Sequence, residues 1–144
     1  MVLGIVGSEG KKFTPETEAA ARARIRSLIA EHGVTKVVSG ACHLGGIDVW
    51  AIEEAKKLGL ETQEFPPKIR HWEGGYKQRN IQIAEASDAV VCLTLKTLPP
   101  KYSGMTFTMC YHCGTKEHVK SGGCSTTKYA RKLGKKGWTE IISA

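Results

Sequence analysis

Residues 1–10, Met-Val-Leu-Gly-Ile-Val-Gly-Ser-Glu-Gly, decide the fold. Val2 to Val6 form an apolar run with no polar face, as in a buried strand, and Gly7-Ser8-Glu9-Gly10 breaks it with the residues of a tight turn. A helix follows to about residue 31. Thr14 before Pro15 is a good N-cap pairing, Glu16 and Glu18 put negative charge in the first turn, and Gly33 supplies the stop. Ala21, Ile25, Leu28 and Ile29 recur on one face, while Arg22, Arg24 and Arg26 face elsewhere.

Outward from this strand, turn and helix, the alternation repeats. Residues 35–39 are a β-branched run ending at Gly40, and a helix over 47–58 closes at Gly59. Residues 61–65 make a weaker third strand stopped by Pro66-Pro67, and 76–86 a third helix carrying Ile81, Ile83 and Ala84. The run 89–95, Ala-Val-Val-Cys-Leu-Thr-Leu, is the strongest buried strand; a short helix over 126–133 and a strand over 138–142 complete the chain. Strands alternating with helices imply a parallel sheet covered on both faces by right-handed crossovers. The expectation is an α/β fold: a doubly wound, mostly parallel five-stranded sheet of order 3-2-1-4-5, with 1–144 as a single domain. Its ligand crevice lies beyond the carboxyl ends of strands one and four, where the winding reverses.

At 144 residues the chain is long enough to bury a core without disulfides. No stretch approaches the apolar length of a membrane span, and the first residues, lacking a basic leader, read as a strand and not as an export signal. A cytoplasmic protein with no membrane partner is expected. Five cysteines, an odd count in a reducing compartment, argue against a disulfide framework. Cys92, inside the fourth strand, reads as a small core residue. From Lys116 onward seven Lys or Arg stand against two Glu, so +5 of the formal +7 lies in the C-terminal fifth. That end attracts anions.

Three glycine-bearing segments fall at strand-to-helix junctions: 7–10, the stretch 39–46 with Gly40, Gly45 and Gly46, and Ser121-Gly122-Gly123-Cys124-Ser125-Thr126-Thr127. Glycines let backbone N–H groups approach an anion, and the following helix adds its positive end. The third segment is the most specific, because Ser125 and Thr126 add hydroxyl donors. None is a Walker loop or the G-x-G-x-x-G fingerprint. Asp48 reads either as an N-cap of the second helix or as a ligand-binding group. Arg79 has the fork geometry for a phosphate, and Asn80 either joins it or fixes the adjoining turn.

The loop over about 96–125 is far longer than a usual connection and holds three of the cysteines. Within it Cys110, Cys113, His118 and Cys124 have the spacing C-x2-C-x4-H-x5-C, which suits tetrahedral zinc and would staple a segment without a core of its own. Burial as plain thiols is the alternative. His112, Cys42 and His43 are spare candidate ligands, and Cys124 sits inside the third glycine loop, so it serves either a metal or the pocket.

Gly7-Ser8 after strand one, Ser39-Gly40 through Gly46-Ile47-Asp48 with Ala51, Arg79-Asn80, Asp88 before strand four, and 121–126 together resemble the SLOG superfamily over nearly the whole chain. That group contains the Lonely Guy phosphoribohydrolases, molybdenum cofactor carrier proteins, nucleotide-sensing domains and the DNA-processing protein A family. The resemblance implies a Rossmann-like fold. In the Lonely Guy enzymes the glycine loop reads P-G-G-x-G-T-x-x-E and its glutamate helps cleave an N-glycosidic bond; Arg79 matches that family's arginine, but Tyr129 stands at the glutamate position. Tyrosine cannot do a carboxylate's work at neutral pH, so Glu9 or Asp48 would have to substitute.

The leading expectation is a sensor or carrier of a nucleotide-type, phosphorylated small molecule. It would be held by Gly7, Ser8, Gly122, Gly123, Ser125, Thr126 and Arg79, with zinc as a second cofactor where the Cys/His set is a metal site. Single-stranded nucleic-acid binding, as the resemblance to DNA-processing protein A implies, is the first alternative, and nucleotide N-glycosidase activity the second. The first and third helices are the candidate apolar patches for a homodimer.

Overall fold

A computed structural model describes residues 1–144. Its strands are β1 (Val2–Gly7), β2 (Lys36–Ser39), β3 (Glu61–Glu64), β4 (Ala89–Leu95) and β5 (Lys136–Ile142), in the order β3-β2-β1-β4-β5 with every neighbouring pair parallel. The helices are α1 (Pro15–Glu31), α2 (Ile47–Lys57), α3 (Lys77–Ala86) and α4 (Gly123–Lys132). The strand order is the expected one, and the sheet is wholly parallel.

Alternation along the two central strands feeds two cores. Leu3 and Ile5 of β1 and Ala89, Val91 and Leu93 of β4 face α1 and α2, where they meet Ile25, Leu28 and Ala51. Val6, Val90 and Cys92 face the other way, onto Ile83 and Ala84 of α3 and Cys124 and Ala130 of α4. Cys92 is thus a core residue, as read. The apolar faces of α1 and α3, offered above as dimer patches, are spent on these cores: Ala21, Ile25, Leu28 and Ile29 of α1 and Ile83 and Ala84 of α3 are all buried.

Local signals set the helix ends. At α1 the Thr14 hydroxyl accepts from the Thr17 amide at 3.1 Å and the Thr17 hydroxyl accepts from the Thr14 amide at 2.8 Å, a reciprocal capping box. At α4 the expected start is displaced: the helix begins at Gly123, so Ser125 and Thr126 lie in its first turn and not in a loop before it. Glycine and cysteine are poor helix formers, but this first turn is buried against the sheet, and the Ser121 hydroxyl accepts the Gly123 amide at 3.2 Å. Tertiary burial overrides propensity there. Likewise β5 starts at Lys136, two residues before the expected Trp138.

Between β4 and α4 the chain has no helix or strand, only a bridge between Cys110 and Thr115. It is tied to the sheet by the Val119 amide, which donates to Leu95 O at 2.7 Å. No helix is long and apolar enough to cross a membrane.

Candidate functional site

At the carboxyl ends of β1 and β4 the crossovers leave for opposite faces of the sheet, and a crevice opens between them. Three turns converge on it. The first leaves β1 with the Ser8 amide donating to Leu93 O at 3.1 Å, and it is bound to the second by Ile47 N to Ser8 O at 3.2 Å and Gly10 N to Leu44 O at 3.3 Å. Gly46 makes this contact close: its φ is +85°, and a Cβ there would lie 2.3 Å from Ser8 O. The third turn touches the first from the other side, since a Cβ on Gly123 would stand 3.0 Å from the Gly7 amide nitrogen. Residues 7–10 and 121–126 therefore share one rim, above a cavity of about 700 Å³.

Of the residues singled out in the sequence, Gly7, Ser8, Asp48, Arg79, Asn80, Gly122, Gly123 and Thr126 line this cavity. Gly40, Gly45 and Gly46 do not; they shape the backbone that presents Cys42, His43 and Leu44 to it. Ser125 is buried in α4 outside the lining, and Tyr129 packs against the second core. The position where the resembled hydrolases keep a glutamate is therefore not in the pocket.

Arg79 is held from three sides. Its Nη1 donates to Gly40 O, its Nε donates to Asn80 Oδ1 at 2.9 Å, and its guanidinium lies 5.4 Å from the Tyr76 ring centre. Nη2 makes no hydrogen bond within the protein, so one edge of the fork is presented for a ligand. Asp48 lies beneath it in α2, its carboxyl pushed up to about 6 by burial, against the opposing pull of Arg79, the Gly7 and Gly40 amides and the Ser39 hydroxyl. In the first turn of α4, Thr126 Oγ1 is the one buried side-chain polar atom without a hydrogen-bond partner.

Two further groups were missed in the sequence. Lys11, Lys12 and Lys120 line the cavity with Arg79, and Lys12 Nζ donates to Lys120 O at 3.2 Å. Burial lowers the Lys12 ammonium and the His112 imidazole from their ordinary values; Lys120 depresses both further, while Glu9 pulls Lys12 back up. A crowd of cations around a cavity is a place for an anion. The second group is aromatic: Trp72 and His112 stack at 6.4 Å, Phe107 and Tyr111 meet edge to face at 5.4 Å, and Lys120 Nζ is 4.5 Å from the Phe107 ring centre. The Lys11-Lys12 pair directly after the first glycine turn was a readable signal. The aromatics had none, being spread along loops whose path the sequence does not give.

The Cys/His set also comes together. One donor atom each from Cys110, Cys113, His118 and Cys124 lies within 4.8 Å of all the others, with Cys110, His118 and Cys124 buried and Cys113 exposed. Cys124 does not line the cavity; its thiol faces Cys92, with the two sulfurs 3.8 Å apart. Burial and the neighbouring thiols of Cys124 and Cys110 push the Cys113 thiol up to about 12. His112 and Cys42 line the cavity, and neither they nor His43 belong to the cluster.

No family model matches the chain, and no curated protein matches it. Among solved structures, the chain is similar to the molybdenum cofactor carrier protein from Chlamydomonas reinhardtii, with a TM-score of 0.59 and 17% sequence identity over 96% of this chain and 77% of the other. At that identity the likeness is one of fold, and it agrees with the Rossmann-like architecture derived from the strand order.

Proposed function

We propose that the chain binds a small phosphorylated molecule carrying an aromatic ring, of the nucleotide type, and holds it as a carrier or sensor in the cytoplasm, where its five free thiols stay reduced. The observation that carries this reading is the cavity's lining, in which Gly122, Gly123 and Thr126 at the start of α4 stand together with Lys11, Lys12, Lys120 and Arg79. The N-terminus of a helix favours negative charge. A phosphate there gains from the positive end of α4, with the Lys12 ammonium and the open edge of Arg79 as counter-charges. Trp72, Phe107 and Tyr111 give a ring its stacking surface.

The Chlamydomonas neighbour, by its name a cofactor carrier, supports a holding role over a catalytic one. So does Tyr129, which occupies the resembled glutamate position and packs away from the cavity. Glu9 and Asp48 are the carboxylates in the lining, and the Glu9 carboxylate accepts from the Tyr102 hydroxyl at 3.3 Å.

Thermal unfolding with matched nucleoside and nucleotide pairs tests this. Nucleotides near a hundred times Kd should stabilise by about 2.7 kcal/mol, a rise of roughly 5–10 °C, and the unphosphorylated nucleosides should do far less. Arg79→Ala should abolish most of the difference. A folded protein indifferent to every phosphorylated compound would overturn the reading. Steeply salt-dependent oligonucleotide binding without a mononucleotide response would move it to single strands.

A further inference from the structure

We infer that Cys110, Cys113, His118 and Cys124 bind one zinc ion, and that this ion fastens the segment between β4 and α4 to the second core. The site is separate from the phosphate cavity, and the inference does not depend on what that cavity binds.

The spatial argument comes first. A tetrahedral zinc with Zn–S near 2.3 Å sets its sulfurs about 3.8 Å apart, and four donors within 4.8 Å of one another need only small side-chain adjustments to reach that geometry. Three thiols and an imidazole are a soft set that suits zinc and offers nothing to calcium or magnesium. Cys110, Cys113 and Gly114 form a tight turn: the Gly114 amide donates to Cys110 O at 2.9 Å, and the Cys110 amide donates to Thr115 O at 2.9 Å. This turn brings the first two sulfurs to one side.

His118 is oriented for the role. Its Nδ1 lies 2.9 Å from Val119 O, and because a carbonyl only accepts, Nδ1 carries the proton and Nε2 is left with a lone pair. Metal-bound histidines are ordinarily fixed by such an outer hydrogen bond. Val119 O also accepts from the Thr94 hydroxyl at 2.9 Å, so the imidazole is referenced to β4 itself.

A need for the ion completes the case. The segment has one isolated bridge and no regular element, yet it delivers Cys110 and His118 into buried positions near Cys124. All five cysteines are free thiols, so no disulfide closes it. A metal cross-link from the segment to the first turn of α4 supplies the missing constraint.

Protein made without an affinity tag and analysed for metals by plasma mass spectrometry should contain one zinc per chain. Cobalt substitution should give the intense ligand-field and thiolate charge-transfer absorption of a tetrahedral site. Cys113→Ser, which alters the exposed donor and leaves the core filled, should lose the metal, and Cys42→Ser should keep it. Wild-type protein that is folded and metal-free would overturn the inference without recourse to any variant. So would iron in place of zinc, or full zinc retention in Cys113→Ser.

Discussion

Burying a hydroxyl with no partner costs roughly 1–3 kcal/mol, and Thr126 Oγ1 bears that cost. Thr126→Val removes the cost while keeping a β-branched shape in the same helical turn. The variant should therefore melt higher by roughly 3 °C, about 1 kcal/mol. Melting curves check this, and a variant less stable than wild type would show the hydroxyl to be satisfied by something else. Asp48 gives a second residue-scale test. Its carboxyl is raised from 3.8 to about 6 in the folded protein, so ionisation is penalised above pH 6 and the penalty is relieved as pH falls through that value. Measured by denaturant unfolding, wild type should gain about 1–2 kcal/mol relative to Asp48→Asn between about pH 8 and about pH 5. A pH-independent difference would mean the charge is already compensated.

At the scale of elements, α1 and α2 are joined by an ionic clasp around Glu54. This carboxylate, 2% exposed, accepts from Arg26 at 2.7 Å, Arg22 at 2.8 Å and Lys57 at 3.1 Å, and Arg22 also reaches Glu18 and Glu53. Burial pushes Glu54 up, but hydrogen bonds from Arg26, Arg22 and Lys57 win and hold it near 2. Its folded value is depressed, so its stabilising contribution is full above the ordinary 4.5 and lost as pH falls through about 2. With the outer cations partly screened by solvent, Glu54→Gln should cost about 1–2 kcal/mol at neutral pH, and the gap to wild type should close in acid. Denaturant midpoints at the two extremes decide it. The three arginines of α1 show where sequence reading stops. Helical periodicity told that Arg22, Arg24 and Arg26 point away from the apolar face, but their partners Glu54 and Glu140 are remote in sequence, and nothing in the chain announces the pairing. The elements themselves were legible because their signals are local: apolar runs, Thr14-Pro15, and the glycines after α1 and α2. The start of α4 was not, because burial of Gly123 and Cys124 outweighed their poor helix propensity.

Across the whole molecule, the sequence made the rim of the sheet and the Cys/His spacing readable, but not the path of residues 96–122, which decides how the two relate. That path makes one segment serve both sites. Tyr111 and His112 lie between the first two cysteines, Lys120 lies between His118 and Cys124, and all three line the cavity. A hydrogen-bonded route runs from the Ser8 hydroxyl to Thr94 at 2.8 Å, from Thr94 to Val119 O at 2.9 Å, and from that carbonyl to His118 at 2.9 Å. Cys124 in turn sits next to Gly123 at the start of α4. With the inferred zinc in place, the ion would order one wall of the cavity, and its removal would add the cost of ordering that wall to the binding of the proposed ligand. Zinc-free protein should bind the phosphorylated ligand on the order of tenfold more weakly than the zinc form. Linkage makes the coupling reciprocal: saturating nucleotide should tighten zinc against a competing chelator by the same factor. Chelator titrations with and without nucleotide, set beside nucleotide titrations with and without zinc, measure that factor twice. Agreement of the two values above unity establishes the coupling, and a zinc affinity unmoved by a ligand that does bind would show the two sites to be energetically independent despite their shared segment.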